Sequence, residues 1–286
     1  MLRRARQGTR ERREMKRFAV LAAAAALAAA MPAFGQAGTG FSIFDGDAWF
    51  GITDSPTSGT ATSPPTAVFR VNGATGTNHL FANWWWFRTP GDTREYAFHN
   101  ASGTTGGGNT ATTTWHLVGR GAVGNPYAFS AALTYTVTDT GDNLGQLVQS
   151  MVITNIGSEP MTLNLFNYAD FDVNASSGGD SATGGLDGIT ITDGPWTILY
   201  QGVGASGYRV TPYAGLLGEL TDASATNFSN TGLPFGPSDI TAGFQWTLNL
   251  DAGQSATVVM SFAVVPTPAS LALLGLGVLT AARRRR

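Results

Sequence analysis

The chain has 286 residues and no cysteine, which excludes disulfide bonds and thiolate chemistry. Its formal net charge of −2 hides an asymmetry, because residues 1–17 and the last four residues hold most of the basic side chains. Residues 36–264 keep 17 of the 19 acids but only five of the 17 basic residues, so this segment carries a net charge of about −12. A body this acidic cannot neutralise phosphates, and we expect no nucleic acid among its partners.

The first predicted element is a secretory signal peptide in residues 1–35. The basic pair Lys16 and Arg17 precedes an apolar run that ends at Pro32, and small residues follow. The competing interpretation is an N-terminal membrane anchor. Residues 1–14 are either an over-long basic segment or the result of a start codon assigned too early. We expect signal peptidase to remove this segment and the rest of the chain to be exported.

Residues 36–264 show period-2 alternation of apolar and polar residues in several places and almost no helical periodicity. The clearest alternating stretches are 133–137 and 161–173, and the two runs 244–250 and 258–264 predict a closing β-hairpin. We therefore predict an all-β fold, a single large antiparallel β-sandwich, over two smaller sandwiches. Three stretches rich in glycine, serine and threonine are predicted to be loops: 58–66, 100–110 and 174–185.

Three consecutive tryptophans form the first candidate site. On a strand Trp84 and Trp86 share one face and Trp85 takes the other, with Phe81 and Arg88 nearby in sequence. Because indole faces stack on sugar rings, Trp84 and Trp86 predict a glycan-binding platform. The alternative is a strand buried on both faces, since tryptophan is common in sandwich cores.

Alternate oxygen-bearing side chains form the second candidate site. Asp170, Asp172 and Asn174 lie on the polar face of a predicted strand, and Asp180 follows in a predicted loop. Such oxygen ligands are the type that Ca²⁺ binds, although the spacing is not that of an EF-hand. The alternative is a solvated polar face. Asp170 and Asp172 are also the candidates for a pair of catalytic carboxylates.

No motif of nucleophilic, metal-dependent or phosphate-binding catalysis is present, and the three histidines have no partner at ligand spacing. We therefore expect the protein not to be an enzyme. Apart from Ca²⁺, we expect no cofactor.

The chain ends in a proline motif, a short apolar run and an arginine cluster. Pro266, Thr267 and Pro268 precede a predicted transmembrane helix at 270–282, and Arg283, Arg284, Arg285 and Arg286 follow it. By the positive-inside rule these arginines stay in the cytoplasm and stop the transfer of the chain.

This arrangement resembles the PEP-CTERM sorting signal of exported bacterial proteins and covers residues 265–286. In that family the motif is usually Pro-Glu-Pro, and here Thr267 stands in place of the glutamate. The resemblance implies a transient hold in the inner membrane and processing by an exosortase-like transpeptidase. It then implies delivery to the outer envelope or the extracellular matrix, where such proteins are associated with exopolysaccharide and biofilm.

The two predicted signals and the acidic body between them favour a structural or adhesive matrix protein, in contact with exopolysaccharide. The alternative function is a polysaccharide-active enzyme or a carbohydrate-binding module on a β-sandwich.

Overall fold

The computed structural model describes residues 39–118 and 126–265, which fold mainly into antiparallel strands. In chain order the strands are β1 (Phe41–Asp45), β2 (Ala48–Ile52), β3 (Ala67–Arg70), β4 (Ala82–Arg88), β5 (Tyr96–Ala97), β6 (Gly103–Gly107), β7 (Thr110–Val118), β8 (Phe129–Gly141), β9 (Leu144–Asn155), β10 (Met161–Phe171), β11 (Asp180–Gly185), β12 (Gly188–Asp193), β13 (Trp196–Val203), β14 (Gly207–Pro212), β15 (Phe235–Ser238), β16 (Ile240–Leu250) and β17 (Ser255–Val265). A 3-10 helix (Val173–Ala175) follows β10, and the α-helix α1 (Gly215–Thr221) follows β14.

These strands form a small sheet and two large ones. The order is β1-β2-β3 in the small sheet, β14-β16-β10-β4-β5 in the five-stranded sheet, and β15-β11-β12-β13-β17-β9-β8-β7-β6 in the nine-stranded sheet. The predicted all-β fold, an antiparallel β-sandwich, is confirmed in this part of the chain.

The core lies between the two large sheets and is rich in aromatic rings. Tyr200 of β13 stacks on Phe262 of β17 with ring centroids 4.9 Å apart, and Phe244 of β16 packs edge-on against Tyr200 at 4.7 Å. Phe171 of β10 reaches the same cluster, 5.6 Å from Phe262. Rings from both sheets therefore join the layers.

The predicted closing hairpin is wrong. β16 pairs with β10 and β14 in the five-stranded sheet, whereas β17 pairs with β9 and β13 in the nine-stranded sheet. Residues 251–254 therefore carry the chain from one sheet to the other. Both strands turn an apolar face to the same core, so their alternation is identical to that of a hairpin.

The outer face of the five-stranded sheet is covered by α1 and by residues 222–232, which we call the strap. A Cβ atom on Gly243 would lie 2.5 Å from the Asn167 carbonyl oxygen and 3.0 Å from Leu216 of α1 and from Phe228 of the strap. Glycine is needed there because the covering segments pack directly on the strand.

In residues 39–118 and 126–265 no helix is long and apolar enough to cross a membrane. The predicted signal peptide at 1–35 and the predicted transmembrane helix at 270–282 lie outside the described residues. The same holds for Pro266, Thr267, Pro268 and the four terminal arginines.

Candidate functional site

Trp84 and Trp86, the predicted sugar platform, lie in the interior. Only 2% of Trp84 and 1% of Trp86 is exposed. Trp84 Nε1–H donates to the Phe98 carbonyl oxygen at 2.8 Å, and Trp86 packs edge-on against Tyr168. Neither of these two indoles is open to a sugar ring, so the platform prediction is wrong. The alternative, a strand buried on both faces, is confirmed for β4.

The polar face of β10 brings aspartates together instead. Asp170 is paired with Thr241, and Phe171 with Ile240. Asp172 follows Phe171 and Asp239 precedes Ile240, so both lie just beyond the last paired residues. Burial first, and then repulsion from the charge of Asp239, raises the pKa of both Asp170 and Asp172.

Asp180 at the start of β11 adds a further carboxyl group. It pairs with Ser238, the neighbour of Asp239, and is fully buried. Neither of its carboxyl oxygens accepts a hydrogen bond of ordinary geometry from the described residues, although the Val173 backbone N–H lies near enough to lower its pKa. The charge of Asp193 raises that pKa. We call four residues the aspartate cluster: Asp170, Asp172, Asp180 and Asp239.

Burial is the largest cause of the raised pKa of every member of the cluster. Burial and neighbouring carboxylates raise the pKa of Asp170 to about 7, against a hydrogen bond from the Tyr168 hydroxyl, and that of Asp180 to about 8. Asp172 and Asp239 are only partly buried, so water stabilises their charged forms better. The cluster therefore combines buried carboxyl groups with partly exposed ones, and such differences in environment are what acid–base sites use to separate the pKa values of their groups.

A turn with unusual backbone angles lies beside the cluster. Asn174 and Ala175 have φ values of 64° and 55°, a region that costs non-glycine residues about 1 kcal/mol or more. The Asn174 N–H donates to Nδ1 of His79 at 3.4 Å. Burial lowers the pKa of His79 to about 4, so this imidazole is neutral at pH 7 and brings no positive charge to the cluster.

An exposed aromatic ring lies at the rim of the cluster. Tyr213 follows β14 and is 57% exposed. Its backbone N–H donates to the Asp239 carbonyl oxygen at 3.1 Å. The charges of Tyr213 and Asp239 both act on the pKa of Tyr168, so the three groups lie within electrostatic reach of one another. An aromatic face beside carboxylates suits a sugar ring, which has an apolar face and a hydroxyl-bearing edge.

The predicted calcium site is not formed. Among residues 39–118 and 126–265 no three His, Asp or Glu side chains form a group that could hold a metal ion. Asn174 is exposed, whereas Asp170 is 3% exposed, so the three predicted ligands do not share an environment. The solvated-face alternative fails at Asp170 for the same reason. Sequence reasoning missed Asp239, because only the pairing of β10 with β16 brings it close.

A second set of buried polar groups has a structural role. Asn167 Oδ1 accepts hydrogen bonds from the Tyr200 hydroxyl at 2.7 Å and from Asn83 Nδ2 at 3.3 Å. Asn83 Oδ1 accepts from Gln149 Nε2 at 2.6 Å, and Gln149 Oε1 accepts from Trp85 Nε1 at 2.7 Å. These bonds cross the core and join the two large sheets.

A buried ion pair holds the strap on the sheet. Arg88 of β4 pairs with Glu95, and its guanidinium also donates to the Thr226 carbonyl oxygen at 2.5 Å and to Asn227 Oδ1 at 2.6 Å. The Thr226 backbone N–H donates back to Glu95 at 2.9 Å. Arg88 is therefore committed to the strap and does not serve the predicted sugar platform.

A hollow of about 290 Å³ lies where β12 begins and β13 ends, at the opposite end of this strand pair from Asp193. It is lined by Leu186, Asp187, Gln201, Gly202, Val203, Gly204 and Ala205. It contains no member of the aspartate cluster, and we place the candidate site at the cluster.

We expect the protein to lose stability as the pH rises from 6.5 to 8.5. Asp170 and Asp180 keep their protons in the folded chain up to about pH 7 and 8 but lose them near pH 4 when unfolded, so the folded state binds more protons. His79 acts in the opposite direction only below about pH 6.5. The free energy of unfolding, measured with urea, should fall by about 2 kcal/mol between pH 6.5 and 8.5.

The variant Asp180→Asn keeps the shape of the side chain and removes its ionisation. Its unfolding free energy should vary less with pH than that of the wild type. If the unfolding free energies of the two proteins depend equally on pH, folding does not raise the pKa of Asp180.

No protein-family model matches the sequence, and a search of curated proteins found no match. Solved structures share the fold. A candidate aldose 1-epimerase from Escherichia coli K12 is 10% identical, with a TM-score of 0.50 over 80% of this chain and 99% of that chain. An aldose epimerase homologue from C. elegans is 8% identical, with a TM-score of 0.48 over 80% and 99% of the two chains. A bacterial glucoamylase complexed with acarbose is 11% identical, with a TM-score of 0.46 over 88% of this chain and 36% of that chain.

The expectation that the protein is not an enzyme is corrected by the fold that the chain shares with the candidate aldose 1-epimerase. That expectation rested on the lack of a linear motif. The carboxyl groups of the cluster come from separate parts of the chain, so no linear motif would reveal them. At 10% identity the match establishes a shared β-sandwich fold.

Proposed function

We propose that the protein is carbohydrate-active and that the aspartate cluster is its acid–base centre. The observation that carries this proposal is that Asp239, whose backbone is bonded to that of the exposed Tyr213, acts by its charge on Asp170, Asp172 and Asp180, three carboxyl groups with raised pKa values. The fold shared with a candidate aldose 1-epimerase supports a sugar as the substrate. The proposal favours the sequence-based alternative, an enzyme or binding module for polysaccharide, over a structural role.

The cluster offers an acid and a base at one place. Asp170, with a pKa of about 7, holds a proton near neutral pH and releases it readily, as a general acid must. Asp172 and Asp239 are partly exposed and are the candidates for the base. In ring opening of an aldose, the base takes the proton of the anomeric hydroxyl, the bond from C1 to the ring oxygen breaks, and the acid protonates that oxygen. Protonation of a glycosidic oxygen uses the same acid.

Activity on sugars tests this proposal directly. The purified protein is incubated with aldoses and with neutral, amino and acidic polysaccharides. Anomer exchange is followed by NMR, product release by chromatography and binding by calorimetry. We expect conversion or binding of at least one class, lost on substitution of the cluster. A protein that neither converts nor binds any of them contradicts the proposal.

We also propose that the protein is exported and sorted to the outer envelope or extracellular matrix. The signal peptide in 1–35 and the PEP-CTERM-like segment 265–286 support this route. Signal peptidase and an exosortase-like transpeptidase are the processing partners, and the inner membrane holds the chain only transiently. An envelope location would place the cluster beside exopolysaccharide.

Replacement of both motif prolines tests the sorting route. With Pro266→Ala and Pro268→Ala we expect the chain to keep its C-terminal segment and to remain in the inner-membrane fraction. Cell fractionation and mass spectrometry measure both properties. The variant Pro195→Ala, in an exposed turn, is the control and should be sorted normally. An unchanged location and mass of the double variant would contradict the proposed signal.

A further inference from the structure

The aspartate cluster has no positive partner among the described residues. The charges that raise the pKa of Asp170, Asp172 and Asp180 come from other aspartates. Arg209 of β14, which lies on the same outer face, is held by Glu219 of α1 through hydrogen bonds of 2.6 and 3.1 Å. Arg88 is held by Glu95, and His79 is neutral. An anionic sugar would therefore meet only repulsion here.

Two members of the cluster also carry buried oxygens that lack donors. Both carboxyl oxygens of Asp180 and Oδ1 of Asp239 accept no hydrogen bond from residues 39–118 and 126–265. Asp180 is fully buried, and the charges of Asp172 and Asp239 both reach it, so its carboxyl group belongs to the same centre. Unpaired buried carboxyl oxygens are costly and favour a ligand that brings several hydrogen-bond donors with a positive charge.

The positions of the remaining groups restrict the shape of that ligand. The exposed Tyr213 is bonded through its backbone to Asp239, and the charge of Asp239 reaches Asp172. A metal ion needs a convergent ligand group that the described residues do not form. An ammonium group carries three N–H donors and tolerates looser geometry.

We propose that the sugar recognised at the cluster is an amino sugar with a free, protonated amine. Its ammonium lies between Asp172 and Asp239, and its ring stacks on Tyr213. This inference rests on the proposed carbohydrate function and names its substrate class. A chain of such amino sugars is a polycation, and the negative charge of residues 36–264 attracts it over longer distances.

Calorimetry with three sets of oligosaccharides of equal length tests this inference. The probes are glucosamine oligomers, their N-acetylated counterparts and uronic acid oligomers, at pH 6.5 and low salt. We expect the glucosamine oligomers to bind at least tenfold more tightly than the N-acetylated ones, and uronic acid oligomers not to bind. The preference should shrink at high salt.

Two variants connect the preference to named residues. Asp239→Asn should reduce the ratio of the two affinities from at least tenfold to about onefold, because the neutral amide keeps the shape of the side chain but not its charge. Tyr213→Ala should weaken both series by a similar factor, because stacking does not depend on the amine. Tyr213 is exposed, so this variant is expected to fold.

The outcomes separate the two proposals. Equal affinity for the free and acetylated oligomers, with binding lost in Tyr213→Ala, overturns the amino-sugar inference and leaves the carbohydrate function standing. A preference for the free amine that survives Asp239→Asn also overturns it. Binding of Ca²⁺ alone, with no sugar of any class bound, overturns both proposals.

Discussion

Asp170→Asn should reduce turnover of the converted sugar by about 10²- to 10⁴-fold, the range expected for loss of one general acid. The amide has the same size as the carboxyl group and still lies beside Tyr168. It cannot, however, donate an acidic proton. Sugar binding should change much less than turnover, because Asp172, Asp239 and Tyr213 remain. Turnover is measured by NMR exchange or product release, and binding by calorimetry on the same preparations.

Asp251→Asn is the matched control, since it makes the same substitution at an exposed turn residue far from the cluster in the fold. It should leave turnover unchanged. If Asp170→Asn retains more than half of the wild-type turnover, Asp170 is not the acid.

Asn167→Ala should lower the free energy of unfolding by about 3 kcal/mol. The substitution leaves the Tyr200 hydroxyl and one Asn83 amide donor unpaired in the core, and each buried orphan costs about 1–3 kcal/mol. It also breaks a network that joins the two large sheets, in which the bonds support one another. Urea unfolding followed by tryptophan fluorescence measures the loss.

Asn249→Ala removes the same side chain at an exposed position of the neighbouring strand β16. It loses one exposed hydrogen bond from Thr162 and should cost at most about 0.5 kcal/mol. A loss below about 1 kcal/mol for Asn167→Ala would mean that the core network contributes little to stability.

The alternation of side chains predicts the strands well and their partners poorly. The predicted strand 133–137 lies in β8, where alternate residues are buried. The alternation in 244–250 and 258–264 also marks real strands, but it cannot distinguish a hairpin from a connection between sheets. Asp180–Gly185 forms β11 although its composition predicts a loop, because pairing with β12 and β15 outweighs weak local strand preference.

The candidate site is only half visible in the sequence. Asp170 and Asp172 stand out by their spacing, since residues two apart on a strand share a face. Asp239 directly precedes β16, the strand that pairs with β10. Asp180 begins β11, which belongs to the nine-stranded sheet. The sugar platform is predicted wrongly because the sequence shows only that Trp84 and Trp86 share a face of the strand. It does not show that other parts of the chain cover this face.

Carboxyl ¹³C NMR of the aspartates, with and without bound sugar, tests the central claim most directly. Asp170 and Asp180 should titrate near pH 7 and 8 in the free protein, and sugar should shift the signals of Asp170, Asp172 and Asp239 but not that of Asp251. Midpoints near pH 4 for Asp170 and Asp180, with no shift of any cluster signal on sugar binding, would contradict it.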